Sequence, residues 1–258
     1  NGVMLAPVYG GGTANTEFEV LTGLSTHFLP QGIIPYVQFV HKPLEALPTI
    51  LKRQGYEATA IHTYDNWFYR RNLVYKDLGF DKFISKEFFI NPEYNGPYIR
   101  DTELSKRVLQ VLQQTEKPDF IYAVSMQAHG PYSSEENPES PIKIDGDLNP
   151  KTRTILENYT NIISDVDESL RLLIEGLEEL EEPSIVVFFG DHLPMLGNDF
   201  DVYKEANFFQ SEDSYPDYLN KYSLPFIVWD NFSNTKQDLR LSSSFLGSYI
   251  LEHSKKEG

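Results

Sequence analysis

The segment Ile185–His192 reads Ile-Val-Val-Phe-Phe-Gly-Asp-His, five apolar residues followed by a glycine, an acid and a histidine. The apolar run has the length and the β-branched and aromatic composition of a buried strand that ends at Gly190. Because binding groups in open α/β sheets follow the carboxyl ends of strands, we expect Asp191 and His192 to face a crevice. Together they could ligate a divalent metal. Asp and Gly also suit an ordinary turn, so this segment alone leaves both interpretations open.

The rest of the chain alternates short apolar runs with longer helical patterns, which is typical of a mainly parallel sheet covered by helices. We therefore predict an α/β fold, with a mainly parallel, mixed sheet flanked by helices, and a single domain over residues 1–258. The predicted strands are Ala58–His62, Phe120–Met126, Ile185–Phe189 and Phe226–Trp229. The predicted helices are Pro43–Arg53, Thr102–Gln114 and Ile155–Leu180, and the predicted irregular stretches are Ser133–Lys151 and Asp199–Tyr222.

Composition excludes several kinds of chemistry. The 258 residues include no Cys, which excludes disulfides, thiolate zinc sites and cysteine nucleophiles. The formal net charge of −16 argues against nucleic acid as a partner. An anionic substrate would need a metal or a few well-placed cations, and we expect such cations to form a local positive pocket.

A glycine-rich run, Gly10–Glu17, precedes an apolar helical pattern. Three successive glycines allow the backbone to approach a ligand, and a helix that follows them would direct free N–H groups at it. Thr13 would then stand at the start of the helix, where its oxygen could act as a nucleophile. Threonine is also a common helix N-cap, and from this segment alone we favour that structural role.

Two more segments place histidines just after predicted strands. His62–Asn72 combines a histidine with two arginines and four aromatic residues. Arginine presents a planar set of donors that matches phosphate or sulfate oxygens, although a solvated aromatic patch has the same composition. His129 follows the strand predicted to end at Met126 and precedes a Gly-Pro turn. A lone histidine in such a position is usually structural, but here three strands deliver a histidine to the same edge of the sheet.

In this order, the segments resemble the extracellular catalytic domain of the lipoteichoic acid synthase family, phosphoglycerol transferases of the sulfatase and alkaline phosphatase superfamily. The resemblance extends from Thr13 to about Trp229. It implies that Thr13 accepts the phosphoglycerol group and touches the metal, which Asp191 and His192 also hold. It further implies a substrate pocket, for which the matching residues are His62, Tyr69, Arg71 and His129. The family typically has a tryptophan where this chain has Tyr69, and Trp67 lies two positions earlier.

The resemblance also implies a cofactor, a substrate and a location. The metal would be Mn²⁺ or Mg²⁺, and the substrate an anionic glycerophospholipid or a glycerol phosphate polymer. The parent protein would be membrane-anchored, at the extracellular face of the plasma membrane. The family has a further glutamate ligand on a strand well before the nucleophile, whereas only twelve residues precede Thr13 here. We therefore expect a domain truncated at its N-terminus that lacks its first strand and one metal ligand.

Two alternatives remain open. The first is a sulfatase or a phosphoethanolamine transferase built on the same scaffold. Sulfatases that generate formylglycine do so from Cys or Ser, so Thr13 disfavours that branch. The second is a non-catalytic relative that binds envelope polymer or lipid headgroups through the aromatic segments Asn66–Tyr75 and Tyr203–Tyr222.

Overall fold

The computed structural model describes residues 1–138, 140–209, 214–233 and 236–254. The strands are β1 Gly2–Leu5, β2 Glu57–His62, β3 Lys82–Ile84, β4 Tyr94–Asn95, β5 Tyr98–Ile99, β6 Asp119–Val124, β7 Ile185–Phe189, β8 Ser223–Asp230 and β9 Leu239–Ser242. The α-helices are α1 Thr13–Thr22, α2 Pro35–Gln38, α3 Leu47–Lys52, α4 Arg71–Asp77, α5 Asp101–Leu112, α6 Pro150–Leu180, α7 Asp201–Glu205, α8 Tyr215–Tyr222 and α9 Ser243–His253.

The strands form two main sheets and a hairpin. One sheet has the order β7-β8-β1-β9, in which β8 runs antiparallel to both of its neighbours and β9 runs parallel to β1. The other has the order β3-β2-β6 and is parallel throughout, and β4 and β5 form the hairpin. The mixed α/β architecture predicted from the sequence is therefore confirmed, and each of the four predicted strands overlaps a strand of these sheets.

The core lies where α1 and its neighbouring helices pack on the strands. Ala58 and Ala60 of β2 are fully buried, and their small side chains leave room for the rings of Tyr36 and Tyr75. Helices α1 and α9 approach closely at Gly247, where a β-carbon would lie 2.6 Å from the backbone oxygen of Val20. The glycine thus sets the separation of the two helices, and α1 is held firmly against the rest of the fold.

Long helix α6 begins at Pro150, five residues before the predicted start. The side chain of Asn149 caps it by accepting a hydrogen bond from the Thr152 N–H (2.9 Å), and proline is favoured in the first helical turn. The helix packs on α5, where the Ser105 hydroxyl donates to the Ser169 backbone oxygen (2.8 Å). None of the described helices, α6 included, combines bilayer-spanning length with sufficient apolar character.

One strand precedes the glycine-rich run: Gly2–Leu5 lies between β8 and β9 and carries no acid, so it is not the acid-bearing strand that we expect this domain to lack. A four-residue strand gains its stability from partners at both edges, so its own pattern gave little signal. The stretch Asp199–Tyr222, expected to be irregular, contains α7 and α8, while residues 210–213 of it lie outside the described part.

Strands β6 and β7 are joined by α6 but do not pair with each other. In the described part of the chain, β6 pairs only with β2 and β7 only with β8. Ala123 on β6 and Phe188 on β7 are exposed apolar side chains, the latter 38% exposed. In the described residues, each of these two strands therefore leaves one edge of backbone N–H and C=O groups without a strand partner.

Candidate active site

The glycine-rich loop positions Thr13 as the first residue of α1. Gly12, not Thr13, is the N-cap: its φ of 97° lies in the left-handed region, and no side chain caps the helix. Gly10 also has a positive φ, and a β-carbon there would lie 2.6 Å from the Phe200 ring. The N-cap role that the sequence left open for Thr13 is thus excluded. Its hydroxyl instead stands at the positive end of the helix dipole, where negative charge is stabilised.

Two hydrogen bonds join this loop and helix to the Gly-Asp-His segment after β7. The Gly10 N–H donates to the Leu193 backbone oxygen (2.6 Å), and the Thr16 hydroxyl donates to the Asp191 backbone oxygen (2.6 Å). Thr13 lies between these two anchor points in sequence. The start of α1 and the segment Asp191–Leu193 are therefore held against each other, although Thr16 and Asp191 are 175 residues apart in the chain.

The side chains of Asp191 and His192 are oriented as potential metal ligands. The Nδ1–H of His192 donates to the Leu193 backbone oxygen (3.0 Å), which leaves the lone pair on Nε2. That Nε2 lies 3.4 Å from Oδ2 of Asp191. Within the part of the chain that the structure describes, no group of three or more His, Asp or Glu side chains converges to hold a metal ion. Asp191 and His192 thus supply two suitable donors of a site that needs at least one more.

A buried ion pair lies below the start of α1. Glu17 is 2% exposed and Arg71 is 1% exposed. Nη2 of Arg71 donates to Oε1 of Glu17, and Nε donates towards Oε2 (3.4 Å). Burial lowers the pKa of Arg71, but the Glu17 carboxylate together with Tyr75 and Tyr36 raises it overall. The guanidinium is therefore permanently charged, and a single carboxylate holds it along its Nε and Nη2 edge.

Two further residues complete this network. The Tyr75 hydroxyl accepts from Nε of Arg71 (3.1 Å) and donates to Oε2 of Glu17 (2.9 Å). Nε2 of His62 lies 3.3 Å from Nη1 of Arg71, while Nδ1 lies 3.0 Å from the Val124 backbone oxygen. Burial, aided by the Arg71 charge, lowers the pKa of His62 from 6.5 to about 3. His62 is therefore neutral, donates from Nδ1 to Val124 and accepts from Arg71 at Nε2.

This arrangement predicts that the protein is destabilised by acid through His62. The unfolded chain takes up a proton below pH 6.5, whereas the folded imidazole resists protonation down to about pH 3. Between these values the free energy of unfolding should fall by about 1.4 kcal/mol per pH unit from this residue alone. Urea unfolding at pH 7.5 and pH 5 would measure how the free energy of unfolding changes with pH. The variant His62→Gln should lose the part of that change that corresponds to uptake of roughly one proton. An unchanged slope in that variant would contradict the neutral buried assignment.

Rings cover the guanidinium on its outer side. The Arg71 Cζ atom lies 5.2 Å from the Tyr69 ring centroid and 5.6 Å from the Phe68 ring centroid. Tyr69 and Arg70 both have left-handed φ angles, 53° and 58°, which are strained for non-glycine residues. Burial raises the pKa of Tyr69, and the negative charge of Asp191 adds to that rise. Tyr69 thus lies in the electrostatic field of both Arg71 and Asp191.

A line of neighbouring aromatic rings connects His129 to His62. Its side chain is exposed, and its ring centroid lies 6.1 Å from that of Tyr98. Tyr98 lies 6.1 Å from Tyr64, and Tyr64 lies 6.2 Å from His62. The three histidines that follow predicted strands are therefore not equivalent: His62 is buried, His129 is exposed, and His192 lies beside Asp191.

The expected positive pocket is not what the structure shows. The charge of Arg71 is neutralised by Glu17, and His62 is uncharged. Sequence reasoning missed Glu17 because a glutamate in an amphipathic helix is most often solvated. Its position four residues after Thr13, on the same face of α1, was the available signal. Asp165 of α6 accepts a hydrogen bond from Nε2 of Gln127 (2.7 Å) and so supports the loop that carries His129.

Comparisons with known proteins identify the family of this chain. The family model for sulfatases matches residues 1–255. A Rhizobium meliloti protein assigned to cyclic beta-1,2-glucan modification is 36% identical over 262 residues, which cover 99% of this chain and 40% of that protein. Lipoteichoic acid synthase 2 of Bacillus subtilis is 27% identical over 187 residues, which cover 70% of this chain and 27% of the synthase.

A solved structure extends the match. The Streptococcus pyogenes phosphoglycerol transferase GacH, in complex with sn-glycerol-1-phosphate, has a TM-score of 0.80 and 29% identity, over 97% of this chain and 64% of GacH. The chain thus spans less than two thirds of the length of each of these relatives. The fold match and the synthase match confirm the resemblance to lipoteichoic acid synthases and the sulfatase/alkaline phosphatase-like fold. The chain belongs to the sulfatase family of enzymes.

Proposed function

We propose that this chain is the catalytic domain of a metal-dependent phosphoglycerol transferase that works through Thr13. The observation that carries the proposal is the pair of hydrogen bonds, Gly10 to Leu193 and Thr16 to Asp191, that fastens the start of α1 to the segment carrying Asp191 and His192. A helix N-terminus without a side-chain cap then offers N–H groups to phosphate oxygens, and Thr13 is the hydroxyl residue at that terminus.

The proposed metal is Mn²⁺ or Mg²⁺, held by Asp191, His192 and the Thr13 hydroxyl. When bound, such an ion lowers the proton affinity of a coordinated hydroxyl and offsets phosphate charge. The Thr13 oxygen attacks phosphorus, a Thr–O–P bond forms, and the P–O bond to the donor alcohol breaks as that oxygen takes a proton. An acceptor hydroxyl or water then attacks phosphorus, and Thr13 recovers its proton.

The pocket residues divide into two layers. Tyr69 and His129 are accessible, and we assign them direct contact with the glycerol phosphate. Arg71 lies behind the rings of Tyr69 and Phe68, and His62 contacts its Nη1 atom. In this proposal the substrate reaches the guanidinium when those rings move aside. Because Glu17 already balances the Arg71 charge, the metal and the amides at the start of α1 carry most of the attraction for phosphate.

We also propose that a strand preceding Asn1 in the parent protein fits between β6 and β7 and brings the missing acid ligand. The support is that α6 connects two strands, β6 and β7, which each have one edge without a strand partner in the described residues. A crossover helix normally joins parallel strands of one sheet, and a parallel strand in this gap would merge the two sheets. Its carboxyl end would lie beside Asp191, the residue two positions beyond β7.

The proposed substrate is an anionic glycerophospholipid or a glycerol phosphate polymer, used in cell-envelope polymer synthesis. The names of the synthase and of GacH support it, as does the net charge of −16, which disfavours nucleic acid. The proposed location is the extracellular face of the plasma membrane, with the parent chain anchored in that membrane.

The test uses the full-length protein with phosphatidylglycerol as donor and diacylglycerol release as the readout. We expect turnover that stops with EDTA and returns with Mn²⁺ or Mg²⁺. A matched panel of a sulfate ester and phosphatidylethanolamine separates the alternatives, since a sulfatase or a phosphoethanolamine transferase would prefer its own donor. Turnover that persists without any divalent ion would contradict the proposal, and binding of lipid with no turnover would favour the non-catalytic alternative.

A further inference from the structure

We infer that Glu17 is a positioning residue that sets the distance between Thr13 and the Arg71 guanidinium. The inference rests on the proposed function, in which the phosphoglycerol group must meet both residues. Glu17 itself touches no substrate, because its two carboxylate oxygens are taken by Arg71 and Tyr75.

The first step of the argument is the spacing on α1. Thr13 and Glu17 are four residues apart in a continuous helix, so their side chains share one face with one turn between them. The helix is rigidly placed, since Thr16 bonds to the Asp191 backbone and Gly247 of α9 packs against Val20. Glu17 is therefore a fixed point relative to the nucleophile.

The second step is the way in which Glu17 holds Arg71. Its two oxygens take the Nη2 and Nε edge of the guanidinium, and the Tyr75 hydroxyl closes the arrangement by bonding both partners. Two-point contact between a planar cation and a carboxylate fixes orientation as well as distance. The Nη1 edge is directed to His62 and the Phe68 backbone oxygen, and these contacts would not by themselves tie the guanidinium to α1.

The third step is a matched comparison within the same helix. Glu19 is also a buried carboxylate, 3% exposed, but it faces away from the site. Its Oε1 accepts from the Thr26 N–H (2.6 Å) and the Thr26 hydroxyl (2.9 Å), and its Oε2 accepts from the Ser243 hydroxyl. Glu19→Gln makes the same chemical change at similar burial without contact with Arg71, and so separates positioning from general stability.

The experiment measures binding of sn-glycerol-1-phosphate to the full-length protein with Mn²⁺ by calorimetry, together with kcat/KM and the thermal unfolding midpoint. We expect Glu17→Gln to weaken binding and lower kcat/KM, each by about tenfold or more, because a two-point charged contact is lost. Glu17→Asp should recover part of the loss. Glu19→Gln should lower the unfolding midpoint but leave binding within about twofold of the wild type.

Tyr75→Phe keeps the test decisive if Glu17→Gln does not fold. It removes only the hydroxyl that bridges Arg71 and Glu17, and should weaken binding by about three- to tenfold. Wild-type affinity in folded Glu17→Gln, wild-type affinity in Tyr75→Phe, or equal losses in Glu17→Gln and Glu19→Gln would overturn the inference. Failure of the wild-type protein to bind glycerol phosphate would instead refute the proposed function on which the inference rests.

Discussion

Replacement of Thr13 by Ala is expected to abolish phosphoglycerol transfer, with kcat falling by at least about 10³-fold. The variant keeps Gly12, the helix start and the Thr16 bond to Asp191, so the fold and the approach of Asp191 are retained. It lacks the one oxygen proposed to bond to phosphorus, and no covalent phosphoglycerol adduct can form. Initial rates of diacylglycerol release and intact-protein mass spectrometry would measure both losses.

Two control variants make the Thr13 result specific. Thr22→Ala makes the same substitution at the other end of α1, where the hydroxyl donates to the Phe18 backbone oxygen (2.6 Å) and accepts from the Leu24 N–H (3.2 Å), and it should leave transfer unchanged. Thr13→Ser keeps an oxygen and should retain a measurable adduct. If Thr13→Ala kept more than about a tenth of the wild-type rate, the nucleophile assignment would be wrong.

Replacement of Arg71 by Met should lower the free energy of unfolding by about 3–5 kcal/mol. The substitution keeps much of the side-chain volume but leaves the Glu17 carboxylate buried at 2% exposure. Within the part of the chain that the structure describes, its remaining hydrogen-bond partner is the Tyr75 hydroxyl. Breaking one half of a buried ion pair costs more than removing both halves, because an uncompensated charge remains. Urea unfolding at pH 7.5 would give the difference.

The double variant Arg71→Met/Glu17→Gln provides the matched test. Since it removes both charges, it should recover at least about 1 kcal/mol of the loss caused by Arg71→Met alone. A double variant that is less stable than the single one would contradict the view that the buried Glu17 charge dominates the cost. Transfer activity should be absent from the single and the double variant, so a recovery of stability in the double variant would not be accompanied by a recovery of activity.

Much of the fold followed from local pattern. The apolar run of β7 and the alternation of strands with helices were sufficient to predict a mixed α/β sheet, because burial imposes the periodicity of each element directly on its sequence. Strand β1 was not predicted from the sequence, because Gly2–Leu5 is stabilised by β8 and β9, which lie more than 200 residues away in the chain. Short strands of this kind depend on their partners and carry little signal of their own.

The candidate site shows the same division. The sequence pattern made Asp191 and His192, after a strand, and Thr13, after a glycine run, candidates for the site, and the resemblance to lipoteichoic acid synthases supplied their proposed roles. It could not show that Arg71 and His62 are buried and that Glu17 cancels the charge of Arg71. The expected positive pocket was wrong for this reason, since charge balance depends on neighbours brought together by folding.

By itself, then, the sequence determined the fold class and the types of residue available for chemistry, since both depend on properties that each segment carries alone. The tertiary structure decided which groups meet: the contact of α1 with Asp191, the ion pair of Glu17 with Arg71 and the uncharged state of His62. Distances, burial and pKa shifts arise between segments far apart in the chain, and so exist only once the chain has folded.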